Sequence, residues 1–231
     1  MSRLILIDDD APDAAATYIG DVDSGSTFAF THSLSIAIGA VADASEGQRL
    51  VAVAVHIASS TSNPNPVISA ATIGGISASW GLAAGAARAT GRYSVVWIWA
   101  LVPTGTSATV SVTLSENSLV RFRSFRVVNL LSTTPGHNDE DSNVGNITSL
   151  VSNIDVERGG VALAACTGFG VDTWTISGVT QDYSVSAVWS ADGRIVGGHL
   201  DATADETARA ITIGTGSFAT TAIALAVLAF R

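Results

Sequence analysis

Lysine is absent from the 231 residues: all eleven basic side chains are arginines, they face twenty acidic ones, and the formal net charge is -9. Such a chain repels a phosphate backbone, so direct nucleic-acid binding is excluded as its business. Charged residues make up only 13% of the chain, against the ~25% of average globular usage, which means short loops or much surface hidden in contacts. Cys166 is the sole cysteine. No intrachain disulfide and no cysteine-based metal cluster can form, and between Ala165 and Thr167 this thiol reads as a small hydrophobe. The longest apolar run, residues 221–230, falls well short of the ~20 residues that cross a bilayer as a helix, and reads as a buried strand. The apolar stretch at residues 4–7 is too short for a signal-peptide core and no small-residue cleavage site follows it, so the expectation is a protein made in the cytoplasm, without membrane contact.

Helical periodicity is nearly absent too. What recurs is period-two alternation and β-branched runs bounded by Gly, Asn, Asp, Ser and Pro, the signature of strands. Phe28, Phe30, His32, Leu34, Ile36 and Ile38 share one face of a strand. Residues 50–57 and 93–100 are apolar on both faces, as in a central strand covered above and below or packed on a neighbouring subunit. Residues 109–114 alternate cleanly, and residues 120–128 set Arg121 and Arg123 opposite Val120 and Phe122. Ile73-Gly74-Gly75-Ile76 reads as a turn or bulge, and the polar residues 133–146 as the longest loop. The expected fold is all-β, an antiparallel, jelly-roll-like β-sandwich of residues 27–231 behind an N-terminal arm, residues 1–26.

A second pattern lies over the first. Ser33-Leu34-Ser35-Ile36 and the run 49–56 are echoed by residues 149–152 and 160–166; residues 71–76 by 174–179; 92–99 by 184–189; 109–114 by 209–213; 125–131 by 222–230. Pseudo-repeats of about residues 27–131 and 145–231 follow. They imply two sheets of matched topology closing one sandwich, or two small tandem sandwiches, since an isolated half would leave a hydrophobic face uncovered.

Chemistry-bearing constellations are sparse. A nucleophile elbow, Gly-x-Ser-x-Gly, is missing, and His32, His56, His137 and His199 show no metal-pair spacing. No catalytic residue and no required cofactor is assigned. Asp21 with Asp23, and Asp139 with Asp141, place oxygen ligands close together on predicted loops, a spacing that suits calcium, though no glutamate closes either loop as an EF-hand needs. Trp80, Trp174 and Trp189 sit near predicted strand ends, where an indole either plugs the core or stacks on a sugar ring. Arg121, Arg123 and Arg126 alternate on one strand and would pair with acidic patches of a neighbour.

The order Phe28-Ala29-Phe30-Thr31-His32, then the run 47–56 ending in Val55-His56, then Ile73-Gly74-Gly75, then 95–101 with 103–113, and a closing 222–230, resembles β-sandwich structural proteins of tailed-phage virions and gene-transfer-agent-like particles. That resemblance implies a surface or tail-associated module without catalytic residues, with other virion proteins (major capsid or tail proteins) as partners and homo-oligomeric assembly. The expected function is capsid decoration, as a cement protein on the virion surface. A tail-fibre adhesin that binds carbohydrate is the second reading, and a carboxylate-dependent glycan hydrolase the third.

Overall fold

In a computed structural model, which describes residues 12–60, 66–88, 91–170, 173–186, 193–216 and 220–231, the chain is all-β, and no helix is present among the described residues. The first half contributes β1 (Ala15–Asp23), β2 (Ala29–Ala37), β3 (Leu50–Ser59), β4 (Ile68–Ile73), β5 (Ile76–Ser77), β6 (Ser79–Arg88), β7 (Gly91–Leu101) and β8 (Ser107–Val128). The second contributes β9 (His137–Ile147), β10 (Ser149–Val156), β11 (Val161–Phe169), β12 (Thr175–Ser177), β13 (Thr180–Ser186), β14 (Gly193–Asp201), β15 (Glu206–Gly214) and β16 (Thr220–Phe230).

Strand β8 organises the first half. Its N-terminal part pairs with β2 and β4, its C-terminal part with β1 and β3, and the chain turns the corner between them at residues 115–118. One strand thereby belongs to both layers of a sandwich: a large layer in the order β6-β7-β3-β8-β1 and a small one in the order β2-β8-β4-β5. Between them lies a core of β-branched and aromatic side chains, among them Val53, Ile57, Ile73, Ile98, Val110 and Phe122. The β4–β5 hairpin is made by Gly74 and Gly75 at φ +62 and +80. Both glycines are needed there, because a two-residue turn matched to strand twist requires positive φ at both positions.

The second half repeats this plan with the long strand cut in two. Its large sheet runs β13-β14-β11-β16-β9 and its small sheet β10-β15-β12, around a core that includes Ile154, Cys166, Trp174, Ile211 and Leu225. Strand by strand, β3 corresponds to β11, β7 to β14, β6 to β13, and the two parts of β8 to β15 and β16. The registers make this residue-specific. Trp97, Ala54 and Arg123 form one cross-strand row, and Gly197, Ala165 and Ala226 form its equivalent.

The two large sheets then pack on each other, giving four layers where closure of one sandwich would give two. Among the described residues, the third core between them holds 23 buried hydrophobic side chains, eleven of them alanine. Strand β6 lies on β9 and β16, β7 on β16 and β11, β3 on β11, and β1 on β14. This explains the strands that are apolar on both faces: every residue of β3 is buried, Val51, Val53 and Val55 in the first core and Ala52 and Ala54 in the third. The second covering surface is the other half of the same chain.

Several expectations change. Residues 15–23 of the expected arm are β1, paired with the chain's own β8, while residues 1–11 lie outside the described residues. Most of the expected loop 133–146 belongs instead to the edge strand β9; an edge strand bonds through its backbone on one side and so needs no apolar face. By place in the sheet the counterpart of β7 is β14, not residues 184–189, of which 184–186 belong to β13. Phe28 and Phe30 do not enter the core but stay about half exposed, because the register jumps at the β8 corner, where Ala29 faces Ser118 and Thr31 faces Thr113.

Close packing of the third core gives a direct test. A Cβ at Gly197 would stand 2.3 Å from the Tyr183 hydroxyl and 2.7 Å from the Ala164 carbonyl, whereas one at Gly20 would meet nothing nearer than 3.7 Å. Gly197→Ala should cost about 1–3 kcal/mol or more in urea unfolding, as overpacking does, and Gly20→Ala well under that.

Candidate functional site

The third core is apolar except at one place. His56 projects from β3 into it, fully buried, at the position equivalent to Thr167 of β11. These two equivalent residues meet: His56 Nδ1 lies 2.5 Å from Thr167 Oγ1, so the pseudo-twofold relation between the halves passes between them. The other ring nitrogen, Nε2, lies 2.9 Å from the Tyr183 hydroxyl of β13. A neutral imidazole has one N–H to donate and one lone pair to accept, and each hydroxyl can take the complementary part, so both ring nitrogens are satisfied in the neutral state. Burial, with Arg123 and Arg121 nearby, holds His56 well below its ordinary value. Burial likewise pushes the Tyr183 phenol well up.

Departures from twofold symmetry fit around this point. Tyr183 lies over Gly197, which leaves the ring its space, and the Arg123 guanidinium stands 5.5 Å from the centre of that ring. In the equivalent row the bulky residue belongs to the first half: Trp97 donates its indole N–H to the Ala226 carbonyl at 3.1 Å. Tyr18 packs on both Tyr183 and Phe125. Trp97 thus meets the small Ala226 across the joint, while Tyr18 with Tyr183, Tyr93 with Phe169 and Trp99 with Phe230 set ring against ring.

Arg121 and Arg123, expected to face a neighbour, are instead buried in this joint, because the second half covers the face of β8 that carries them. Arg123 pairs with Asp21 at 3.1 Å, and Arg121 pairs with Asp23 and donates to the Ser186 carbonyl. Arg126 is partly buried and closes on Glu46 and the Ala40 carbonyl. The acids read as calcium ligands are engaged in the same way. Asp21 and Asp23 serve these arginines, Asp139 accepts from Ser152 Oγ and the Asn153 amide across the β9–β10 corner, and Asp141 accepts from the Ser142 amide. Among the described residues no group of three or more His, Cys, Asp or Glu is placed to hold a metal ion. Trp174 is fully buried in the core of the second half, which removes it from sugar stacking; Trp80 is 44% exposed on β6; Trp189 lies outside the described residues.

His199 Nδ1 sits 2.7 Å from Asp182 Oδ2, and this hydrogen bond, against the opposing effect of burial, raises the histidine's pKa. At one end of the first sandwich a groove of about 340 Å³ is walled by Val41, Ala42, Gln48, Ile76, Leu101 and Pro103 around Arg49. The buried Arg49 guanidinium is spent on the carbonyls of Gly39, Val102, Thr104 and Gly105, pinning the loops that form the groove.

His56, Thr167 and Tyr183 are not singled out as a set by the sequence pattern. The available signal is a polar residue at matching positions of two otherwise apolar strands, and the visible echo stops at Cys166, one residue short of Thr167. No protein-family model matches the chain, and neither a curated protein nor a solved structure matches it.

Thr167→Val keeps the shape of the side chain and leaves a buried imidazole nitrogen without a partner, so it should cost about 1–3 kcal/mol in denaturant unfolding, while Thr167→Ser should recover most of that. Asp182→Asn should lower the pKa of His199, followed by its ring resonances in an NMR titration. The raised value means that the pair stabilises the fold below the ordinary value near 6.5 and loses that contribution as pH rises through the folded-state value. The variant should flatten this dependence.

Proposed function

We propose that the chain is a non-enzymatic assembly module of a particle surface, in the form of a capsid decoration or cement protein that bridges neighbouring shell subunits. The observation that carries this reading is the pair of outer faces at opposite ends of the four-layer stack. On the first small layer the rows are Thr31–Thr113–Ala70, Ser33–Ser111–Thr72 and Ser35–Thr109. On the second they are Ser149–Gly214–Thr175, Val151–Thr212–Ser177 and Asn153–Ala210. None of these positions is charged in a chain of net charge -9, and on the second face the outward row of β10 ends at Asp155, whose carboxylate accepts from the Ala208 amide.

Short side chains lose little rotamer freedom when a partner covers them, and an uncharged face costs little desolvation, so such surfaces are cheap to bury. Two of them on opposite ends of one body suit a bridge. Interfaces of ~800 Å² per partner would stabilise a shell by burial alone. The buried hydrogen bonds of His56 to Thr167 and Tyr183 fit the same reading, since they tie the two halves together between the docking faces. The exposed Trp80 favours the second reading, a tail-fibre module that stacks on glycans, at one position only.

Purified particles mixed with the chain and sedimented should carry it down at a fixed stoichiometry. Placing charge on an outer face, as in Ser33→Glu with Ser111→Glu, should reduce occupancy about tenfold or more, since like-charge and desolvation penalties of a few kcal/mol enter a face that had none. Unchanged occupancy would remove the docking role of that face. Binding to a glycan array that is lost on Trp80→Ala would favour the adhesin instead.

A further inference from the structure

We infer that the joint between the two sandwiches is an acid-sensitive latch, closed by neutral His56 and opened when that ring takes up a proton, while each sandwich keeps its own fold. This inference rests on the geometry of the joint and is independent of the proposed assembly role.

The groups that face His56 come from every strand around it. Thr167 of β11 and Tyr183 of β13 hold its two nitrogens. Arg121 and Arg123 stand beside it on β8, answered by Asp23 and Asp21 of β1. Tyr18 closes the side towards β1. Asp182, next to Tyr183, is engaged by His199 of β14, so that pair belongs wholly to the second half. The nearby carboxylates are therefore matched to cations already, and a third cation at position 56 would have no counter-ion of its own.

Protonation also breaks the hydrogen-bond arithmetic. Both ring nitrogens become donors, so the Thr167 and Tyr183 hydroxyls must both accept, and the hydroxyl hydrogen that had been given to the imidazole lone pair is left without an acceptor in a dry core. Burying an unpaired charge and a lost hydrogen bond in the same place costs more than either alone. The sign follows: His56 is neutral in the closed joint, the open form binds the extra proton, and closure weakens as pH falls below the ordinary value near 6.5.

Opening at the joint rather than loss of the whole fold is expected because each sandwich has its own core. The core of Val53, Ile98 and Phe122 and the core of Ile154, Trp174 and Leu225 lie on the far faces of the two large sheets from His56. What opening exposes is the third core, with Trp97, Phe125 and Tyr183.

The test is a titration from neutral pH to about pH 4, read by near-ultraviolet circular dichroism, by the far-ultraviolet β signal and by fluorescence of the apolar dye anilinonaphthalene sulfonate. The expected result is loss of the near-ultraviolet signal with dye uptake while the β signal persists. His56→Gln, which cannot take the proton, should move that step down by more than about one pH unit or abolish it. A single midpoint for all three signals, or a His56→Gln midpoint equal to that of the wild type, would overturn the latch. Should the variant not fold, the wild-type chain still decides by NMR. Proton uptake at the His56 ring must coincide with loss of the Trp97 indole N–H signal that reports the bond to Ala226, and uptake that leaves that signal in place refutes the inference.

Discussion

Everything in this molecule depends on one constraint: each large sheet is apolar on both faces and must be covered twice. A two-layer sandwich covers one face of β3 with its own small layer and leaves Ala52, Ala54 and His56 open. The second half has the same deficit on Leu163, Ala165 and Thr167. Each repeat is the missing cover of the other, which is why the chain carries both. Covering an apolar face at ~25 cal/mol per Å² outweighs the loss of independence for either half.

Alanine sets how the cover fits. With eleven alanines among its 23 buried hydrophobic residues in the described part of the chain, the third core lets the two sheets approach on short side chains. The few large groups then decide the relative position of the halves. Trp97 against Ala226 and Tyr183 over Gly197 are two different solutions to equivalent positions. A strictly symmetric pair would put two tryptophans or two glycines at these points, with a clash in one case and a void in the other. Covalent linkage of two divergent repeats allows the asymmetric solution.

Much of this was legible in the sequence, and the limits have physical causes. Alternation and two-faced apolar runs mark β3, β7, β11 and β16 because burial on both sides leaves no room for polar residues. The strand β9 was not legible, since an edge strand that bonds by its backbone leaves His137, Asn138, Asp139 and Glu140 free to look like loop. Arg121 and Arg123 were misplaced for a related reason. Period-two alternation shows that they share a face, but not that the face is covered by a surface some sixty residues further along the chain. Trp174 and Trp80 look alike from their neighbours and differ wholly in burial, which only the packing of the second core decides.

The joint and the outer faces make opposite use of polarity. Within the joint, the polar side chains His56, Thr167 and Tyr183 are bound to one another across the halves, so their loss is costly and their protonation matters. On the outer rows the hydroxyls of Ser33, Thr109, Thr212 and Ser177 stand towards solvent in numbers, with no charge among them. Specificity within the chain therefore comes from a small set of irreplaceable contacts, whereas any partner of the outer faces would have to be recognised by shape over a broad, flat area.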